Sequence, residues 1–418
     1  MRLLSKSWLV PGPFALGIWS VYLIVPLALA PEYRVPAIGA WIILLLVSCM
    51  AVGAELGAGR DIASGPRTPR EPSQSKRMLR LSLLLAVVGV LGAVYWTMKA
   101  LGDNGLDFSI PGLLALGHLL SVDRYAGEQP PVIVRALVIW IYPAALLAGM
   151  SFAVARRHRE RVLCFLPIAF SLLLSILQAA KANTLIAVAL GLSGYLGMKV
   201  FIGGEAQKLI RRKSLLALGS AVTVVVLFFV TVDALRTHEQ EQDIELQADW
   251  LRIKSASIGY LAVFSRWANS PDGPGSLHLG FGAYTFGGVL EVAGLHPREL
   301  GVYRESIELE GGDESNIYTA FRGLIEDFSF PGAAAFCFLA GFLSGRAYKN
   351  SSLGRETWTL GLAGFYVFLL WSALGSVFVY NGPLLAFFVG VVAFRSSRSS
   401  IRSEIPVRRL PRQPVGAV

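Results

Sequence analysis

"VPAIGAWIILLLVSCMAVGAELG", residues 35–57, carries a single charged side chain, Glu55, near its end. Crossing about 30 Å of hydrocarbon takes roughly 20 residues of helix at 1.5 Å rise per residue. The run therefore reads as a membrane-spanning helix. Comparable runs of roughly 17 to 23 apolar residues recur along the chain. They lie near 10–30, 35–57, 80–98, 132–154, 162–180, 184–202, 215–232, 329–346, 358–378 and 383–394, the last short for a span. Composition agrees: of 418 residues 54% are hydrophobic and 16% charged, with mean hydropathy +0.55, whereas a soluble domain is typically about 25% charged. The expected fold class is all-α, a polytopic membrane protein of about ten transmembrane helices with a long helical segment between the seventh and the eighth.

Lys and Arg gather in alternate connections: 58–80, "RRHRER" at 156–161, "KLIRRK" at 208–213, 346–355 and the tail from Arg395 to Arg412. Short basic loops stay in the cytoplasm, so both termini are expected inside. The net charge of +10 then follows from topology. The basic runs anchor the chain to the membrane surface rather than to nucleic acid, and the bilayer is the expected partner. "MRLLSKSW" at the start is followed by no small-residue cleavage site, which predicts that the first span is retained. Cys49, Cys164 and Cys337 all fall inside predicted spans, leaving no disulfide framework outside.

By this topology the expected organisation is residues 1–232 for spans one to seven, 233–328 for an outer helical segment, 329–394 for spans eight to ten, and 395–418 for a basic, disordered cytoplasmic tail. An unstructured loop longer than about 12 to 15 residues is unusual, so the long outer segment is expected to have helices and a task. Within it, "LRIKSASIGYLAVFSRWANS" places Arg252, Ser255, Gly259 and Arg266 on one helix side and Ile258, Leu261 and Phe264 on another. A second helical piece is expected over Tyr284 to Ala293.

The segment closes on "ESNIYTAFRGLIEDFSFPG", residues 314–332. At about 100° per residue, Asn316, Thr319, Arg322, Gly323, Glu326 and Asp327 share one arc, and Tyr318, Phe321, Leu324, Ile325 and Phe328 fill the opposite one. Asp313 or Ser315 is positioned to cap this helix, whose acidic start suits the positive end of the helix dipole.

The succession "YLAVFSRW", "FGAYTFGGVLEVAGL" and "NIYTAFRGLIEDFSFPG" resembles the oligosaccharide repeat-unit polymerases of bacterial surface polysaccharide synthesis, the O-antigen polymerase or Wzy type. The matching residues are Phe281, Gly282, Thr285, Phe286, Asn316, Thr319, Asp327, Phe328 and Gly332. Ser329 stands where that family has Gly. Ser315-Asn316 stands where the related O-antigen ligases carry His-Asn, and Lys181, in "AAKANT", where the family often shows Arg. The motifs cover residues 255–335, and the hydropathy pattern fits throughout.

The resemblance implies a GT-C-like architecture in the bacterial inner membrane and a transfer between undecaprenyl-diphosphate-linked glycans on its outer side. The hydroxyl of one lipid-linked repeat unit attacks the anomeric carbon of another, and undecaprenyl diphosphate leaves. A flippase and a chain-length regulator are the protein partners it implies. The leaving diphosphate gathers negative charge, which the planar fork of Arg pairs well, and the attacking hydroxyl is helped by a nearby carboxylate. Arg322, Asp327 and Glu326 are the expected catalytic residues, and Asn316, Thr319, Arg124, Lys181, Arg252, Lys254 and Arg266 the expected substrate ligands.

Each has a structural alternative. Arg322 is spaced to pair with Glu326 four residues on, Asp327 and Glu326 to end a solvated helix, and Lys181 to snorkel to lipid headgroups. His278 and His296 have no second ligand at metal spacing, and no Walker, Rossmann or Asp-x-Asp pattern is present, so neither metal nor nucleotide cofactor is expected. An O-antigen ligase fits the same topology with a different acceptor. A flippase or transporter would place ionisable residues within its spans, and few are found there.

Overall fold

The computed structural model describes residues 8–59, 75–125, 130–178, 180–203, 254–255, 258–271, 273–274, 279–296, 303, 305–310 and 314–403. Its helices are α1 (Pro11–Leu29), α2 (Ala37–Ala58), α3 (Ser75–Asp103), α4 (Ile110–Tyr125), α5 (Val132–Val138), α6 (Ile141–Val154), α7 (His158–Leu163), α8 (Leu166–Leu177) and α9 (Lys181–Ile202). After the outer segment begins come α10 (Tyr260–Ala268), α11 (Ala283–Val292), α12 (Ala320–Ser352), α13 (Glu356–Trp371) and α14 (Asn381–Ser403). Among the described residues seven stretches are long and apolar enough to cross a bilayer: α1, α2, α3, α5 with α6, α7 with α8, α9 and α12. The chain is a multi-pass, mainly helical membrane protein.

Seven expected spans coincide with these stretches. The expected spans at 358–378 and 383–394 correspond to α13, shorter at Trp371, and to the apolar part of α14. The expected span at 215–232 lies outside the described residues. Helix α14 runs on to Ser403, beyond the expected start of a disordered tail at Arg395, in a stretch free of Gly and Pro.

The most extensive helix contact is between α2 and α12. Gly53 and Gly57 lie against the backbone of Phe338 and Phe342, and Gly341 and Gly345 against Met50 and Ala54, so close that a Cβ at any of the four would meet a carbonyl. Reciprocal small residues four apart let the two backbones approach within lipid, where burial of apolar surface supplies no drive for helices to associate.

Two sequence expectations about the outer segment are corrected. Helix α10 is not a surface helix with a polar side. Tyr260 to Ser265 and Trp267 are all buried, and Tyr260 donates to the Tyr22 carbonyl at 2.7 Å while Tyr22 donates to Leu370 at 2.8 Å. It is wedged among the spans, leaving Arg266 half-buried at its end.

The polar helix begins at Ala320, not before Asn316. Glu314–Ser315 instead forms strand β2, antiparallel to β1 (Ile307–Glu308), residues 316–319 are in neither helix nor strand, and Thr319 is extended. Asn316 Nδ2 donates to the Tyr303 carbonyl at 3.1 Å, and the Ala320 amide donates to Ser372 at 2.8 Å. These long-range bonds compete with helix at the very residues that the 3.6-residue period includes. Thr319 takes the N-cap position, and its hydroxyl makes no cap bond.

Helix α12 is two helices joined at a kink. Ser329 has φ 63° and ψ 171°, with Pro331 two residues later. The expected start of the eighth span at residue 329 falls on this kink. A non-glycine residue in this region is strained by roughly 1–3 kcal/mol.

Candidate functional site

Arg322 sits on the short first limb of α12 and is only 4% exposed. Its Nε donates to Glu326 Oε1 at 2.7 Å and its Nη2 to Glu305 Oε2 at 3.1 Å. The guanidinium carbon lies 3.8 Å from the Tyr303 ring centroid, 4.0 Å from that of Tyr318 and 5.2 Å from that of Trp267. Aromatic faces attract a cation and lower the cost of holding it away from water. Nη1 is buried and has no partner among the described residues.

Glu326 is held twice, by Arg322 and by the Tyr303 hydroxyl, which donates to Oε2 at 2.7 Å. Burial, and then the charge of Glu326, push the Tyr303 phenol well above its ordinary value. Tyr303 is thus a proton donor that stays protonated. The alternative reading of Arg322, an ion pair four residues along the helix, is realised. Tyr318, expected opposite the polar arc, instead flanks the guanidinium. It precedes the helix, so its direction does not follow the helical wheel.

Asp327 faces a different neighbour. Its Oδ1 accepts the Tyr284 amide at 3.2 Å and its Oδ2 the Thr285 amide at 2.7 Å. These are N–H groups in the first turn of α11, which have no acceptor within that helix. The carboxylate, 1% exposed, caps α11 from 42 residues away in sequence, and the helix dipole favours its charge. The turn before α11 has Phe281 at φ 48° and Gly282 at φ 98°, which brings those amides round to the carboxylate.

Beside the guanidinium opens a pocket lined by Ala283, Tyr284, Tyr303, Tyr318, Thr319, Ala320, Gly323, Gly375, Ser376 and Val379. Tyr284 and Tyr303 stack at 5.6 Å with 10° between their planes. The Thr319 hydroxyl is buried and without a partner among the described residues. Ser376 donates to the Thr285 carbonyl at 2.7 Å, tying the 377–379 turn to α11.

Lys254 and Arg266 form a second cluster around the turn at Pro31–Tyr33. Lys254 pairs with Glu32 and lies 5.6 Å from the Tyr33 ring centroid. The hydrogen bond from Lys254 draws the Glu32 carboxyl below its ordinary range. Arg266 binds the Glu310 carboxylate, the Glu308 carbonyl and, at 3.5 Å, the Tyr33 carbonyl. Trp267, next in sequence, touches the Arg322 cluster, so the two groups are neighbours.

The structure therefore gathers Arg322, Glu326 and Asn316 around Tyr303, which lines the pocket together with Tyr318 and Thr319, while Asp327 binds the start of α11. Lys181 is the first residue of α9 and Arg124 belongs to α4, helices that supply none of the side chains named here; the Arg124 side chain and all of Arg252 lie outside the described residues. Tyr303, Tyr318, Tyr284 and Glu305 join the site although no sequence motif marks them. Their signal is the aromatic and acidic content of "GAYTF", "YRES" and "NIYTA" so close to a span.

Each described cation in the two clusters has a carboxylate partner, so the site is not an open cationic patch. Its receptive groups are the unused Arg322 Nη1, the unused Thr319 hydroxyl and the tyrosine walls. No family model, no curated protein and no solved structure matches the chain.

Proposed function

We propose that the chain is a glycosyltransferase that joins undecaprenyl-diphosphate-linked repeat units into a surface polysaccharide on the outer side of the bacterial inner membrane, needing neither metal nor nucleotide. The observation that carries this reading is Arg322: a buried guanidinium, pre-oriented by Glu326 and two tyrosine faces, that keeps one nitrogen unpaired beside a pocket. An unmade hydrogen bond on a buried group costs roughly 1–3 kcal/mol. A cost of that kind is expected where a ligand completes the bonding.

The diphosphate takes Nη1 and displaces Glu305, whose side chain is 77% exposed and so is the weaker of the two acidic partners. The acceptor sugar lies against the tyrosines with Thr319 and Asn316 reaching its hydroxyls. Its attacking oxygen bonds to the donor's anomeric carbon as the bond from that carbon to diphosphate breaks, and the proton passes to Glu326, whose oxygens are held by Arg322 and Tyr303. Asp327 acts through α11, as a positioning residue. The Ser329 geometry adds support: the family motif has Gly there, and this backbone conformation is one that glycine adopts readily.

The glycan made by a deletion strain tests the reading against its alternatives. A single repeat unit capping the lipid is the expected result. Absent surface glycan would indicate a flippase, and free lipid-linked polymer a ligase.

A further inference from the structure

Around α11 the burial pattern is the reverse of what water imposes. The side chains turned to protein are small: Thr285, Gly287 and Gly288 are buried. Gly288 is so close to the Val379 carbonyl and Asn381 Oδ1 that an added Cβ would lie 2.9 Å and 2.8 Å from them. The large apolar side chains turn outward, beside the exposed Glu291 and His296. Phe281, Val292 and Leu295 are 77%, 74% and 75% exposed, with Leu279 and Val289 also exposed. In water, burying apolar area is favourable by about 25 cal/mol per Å², so large groups go in and small ones out. Small residues inside and large apolar ones outside is the arrangement of helices packed in lipid.

The ten residues of α11 are too few to cross a bilayer, which takes about 20. Its one charged residue, Glu291, is bonded by Asn381 at 2.6 Å. The spans against which α11 packs also expose large apolar side chains, Leu339 and Leu343 of α12 and Phe388 and Val392 of α14.

We infer that residues 279–295 lie in the membrane interface, with Phe281, Val292 and Leu295 set among the acyl chains just below the headgroups, as interfacial helices place their apolar faces. A helix that the sequence assigns to the water-facing outer segment then belongs to the bilayer. Because Tyr284 of α11 forms one wall of the pocket, the pocket opens at headgroup depth, and the groups it receives are polar groups carried on a lipid. The placement of α11 does not depend on the reaction proposed above.

The test uses the full-length protein in phosphatidylcholine and phosphatidylglycerol vesicles. Nitroxide labels are attached at Phe281→Cys, Val292→Cys and Leu295→Cys, with Leu339→Cys as the lipid reference and Glu314→Cys as the aqueous one. Unsubstituted protein labelled in parallel gives the background from the three native cysteines. Collision with oxygen, which concentrates in lipid, is compared with collision with a water-soluble nickel chelate. At two or more of the three positions the ratio is expected to shift to the Leu339 side. If fewer than two shift, the inference is overturned. All five positions are exposed or at the segment's edge, and thermal unfolding matching that of the unsubstituted protein confines the reading to folded samples.

Discussion

Asp327 Oδ2 accepts the Thr285 amide at 2.7 Å, joining the first limb of α12 to the first turn of α11. That bond, with its neighbour to Tyr284, decides where the tyrosine wall stands relative to Arg322. It also separates Asp327 from Glu326, which the sequence alone leaves equivalent: one carboxylate orders a helix, the other orders a guanidinium.

Asp327→Ala removes the acceptor of the buried Thr285 amide and of the partly buried Tyr284 amide. The expected loss is about 1–3 kcal/mol of stability, seen as a lower unfolding temperature in detergent. Asp327→Asn keeps one acceptor oxygen but turns an NH2 donor toward the other amide, so it should recover only part of that loss. Activity per folded molecule should be retained in Asp327→Asn far better than in Asp327→Ala; a stable but inactive Asn variant would assign the carboxylate to chemistry.

Ser329→Gly should stabilise the fold. The kink at φ 63° and ψ 171° strains a side-chain-bearing residue by roughly 1–3 kcal/mol, more than the 0.5–1 kcal/mol or so that glycine's extra freedom costs. The unfolding temperature is expected to rise; a fall would mean that the serine hydroxyl stabilises the kink.

How much of this was legible in the sequence depends on the range of the interactions. Residues 35–57 disclose a span because every neighbour along the helix repeats the message, and the break at residue 329 is visible in "SFPG" because proline and its surroundings act locally. The start of α12 was not legible. Residues 314–319 carry a helical period, and their conformation is set by Tyr303, by β1 and by Ser372, which are distant along the chain. The same holds for Asp327, whose partners lie 42 and 43 residues away, and for Tyr318, whose direction reverses once it stands outside the helix. The pairing of Arg322 with Glu326, four residues apart, could be anticipated; the two tyrosine faces could not.

Tyr303→Phe removes the donor to Glu326 and keeps the ring over Arg322, so its cost should be about 1.5–3 kcal/mol, as for hydrogen bonds to charged groups. Tyr303→Ala should cost more, having lost the ring as well. The raised phenol value also sets a pH dependence. The folded protein holds this proton more tightly than the unfolded chain, so the Tyr303 contribution is complete below about pH 10, the ordinary tyrosine value, and declines as pH rises above it. Thermal unfolding across that alkaline window should fall less steeply for Tyr303→Phe than for the unsubstituted protein.

Glu305→Ala isolates the displacement step. With this exposed carboxylate gone, Arg322 loses a competitor for phosphate oxygens and keeps Glu326 as its anchor. The KM for a lipid-linked donor should fall, with kcat little changed. A rise in KM would mean that Glu305 itself binds substrate.

Whether Arg322 stabilises the departing diphosphate is read from the elongation rate of a lipid-linked repeat unit by purified protein in vesicles, with EDTA present. Arg322→Ala is compared with Arg322→Lys and the unsubstituted protein at equal amounts of folded protein. Loss of one preorganised donor of this kind typically costs about a hundredfold or more in rate, and lysine, without the planar fork, should restore only part. That loss is expected in the folded Ala variant, with partial recovery in Lys; elongation at the unsubstituted rate by folded Arg322→Ala protein would rule out this role for Arg322.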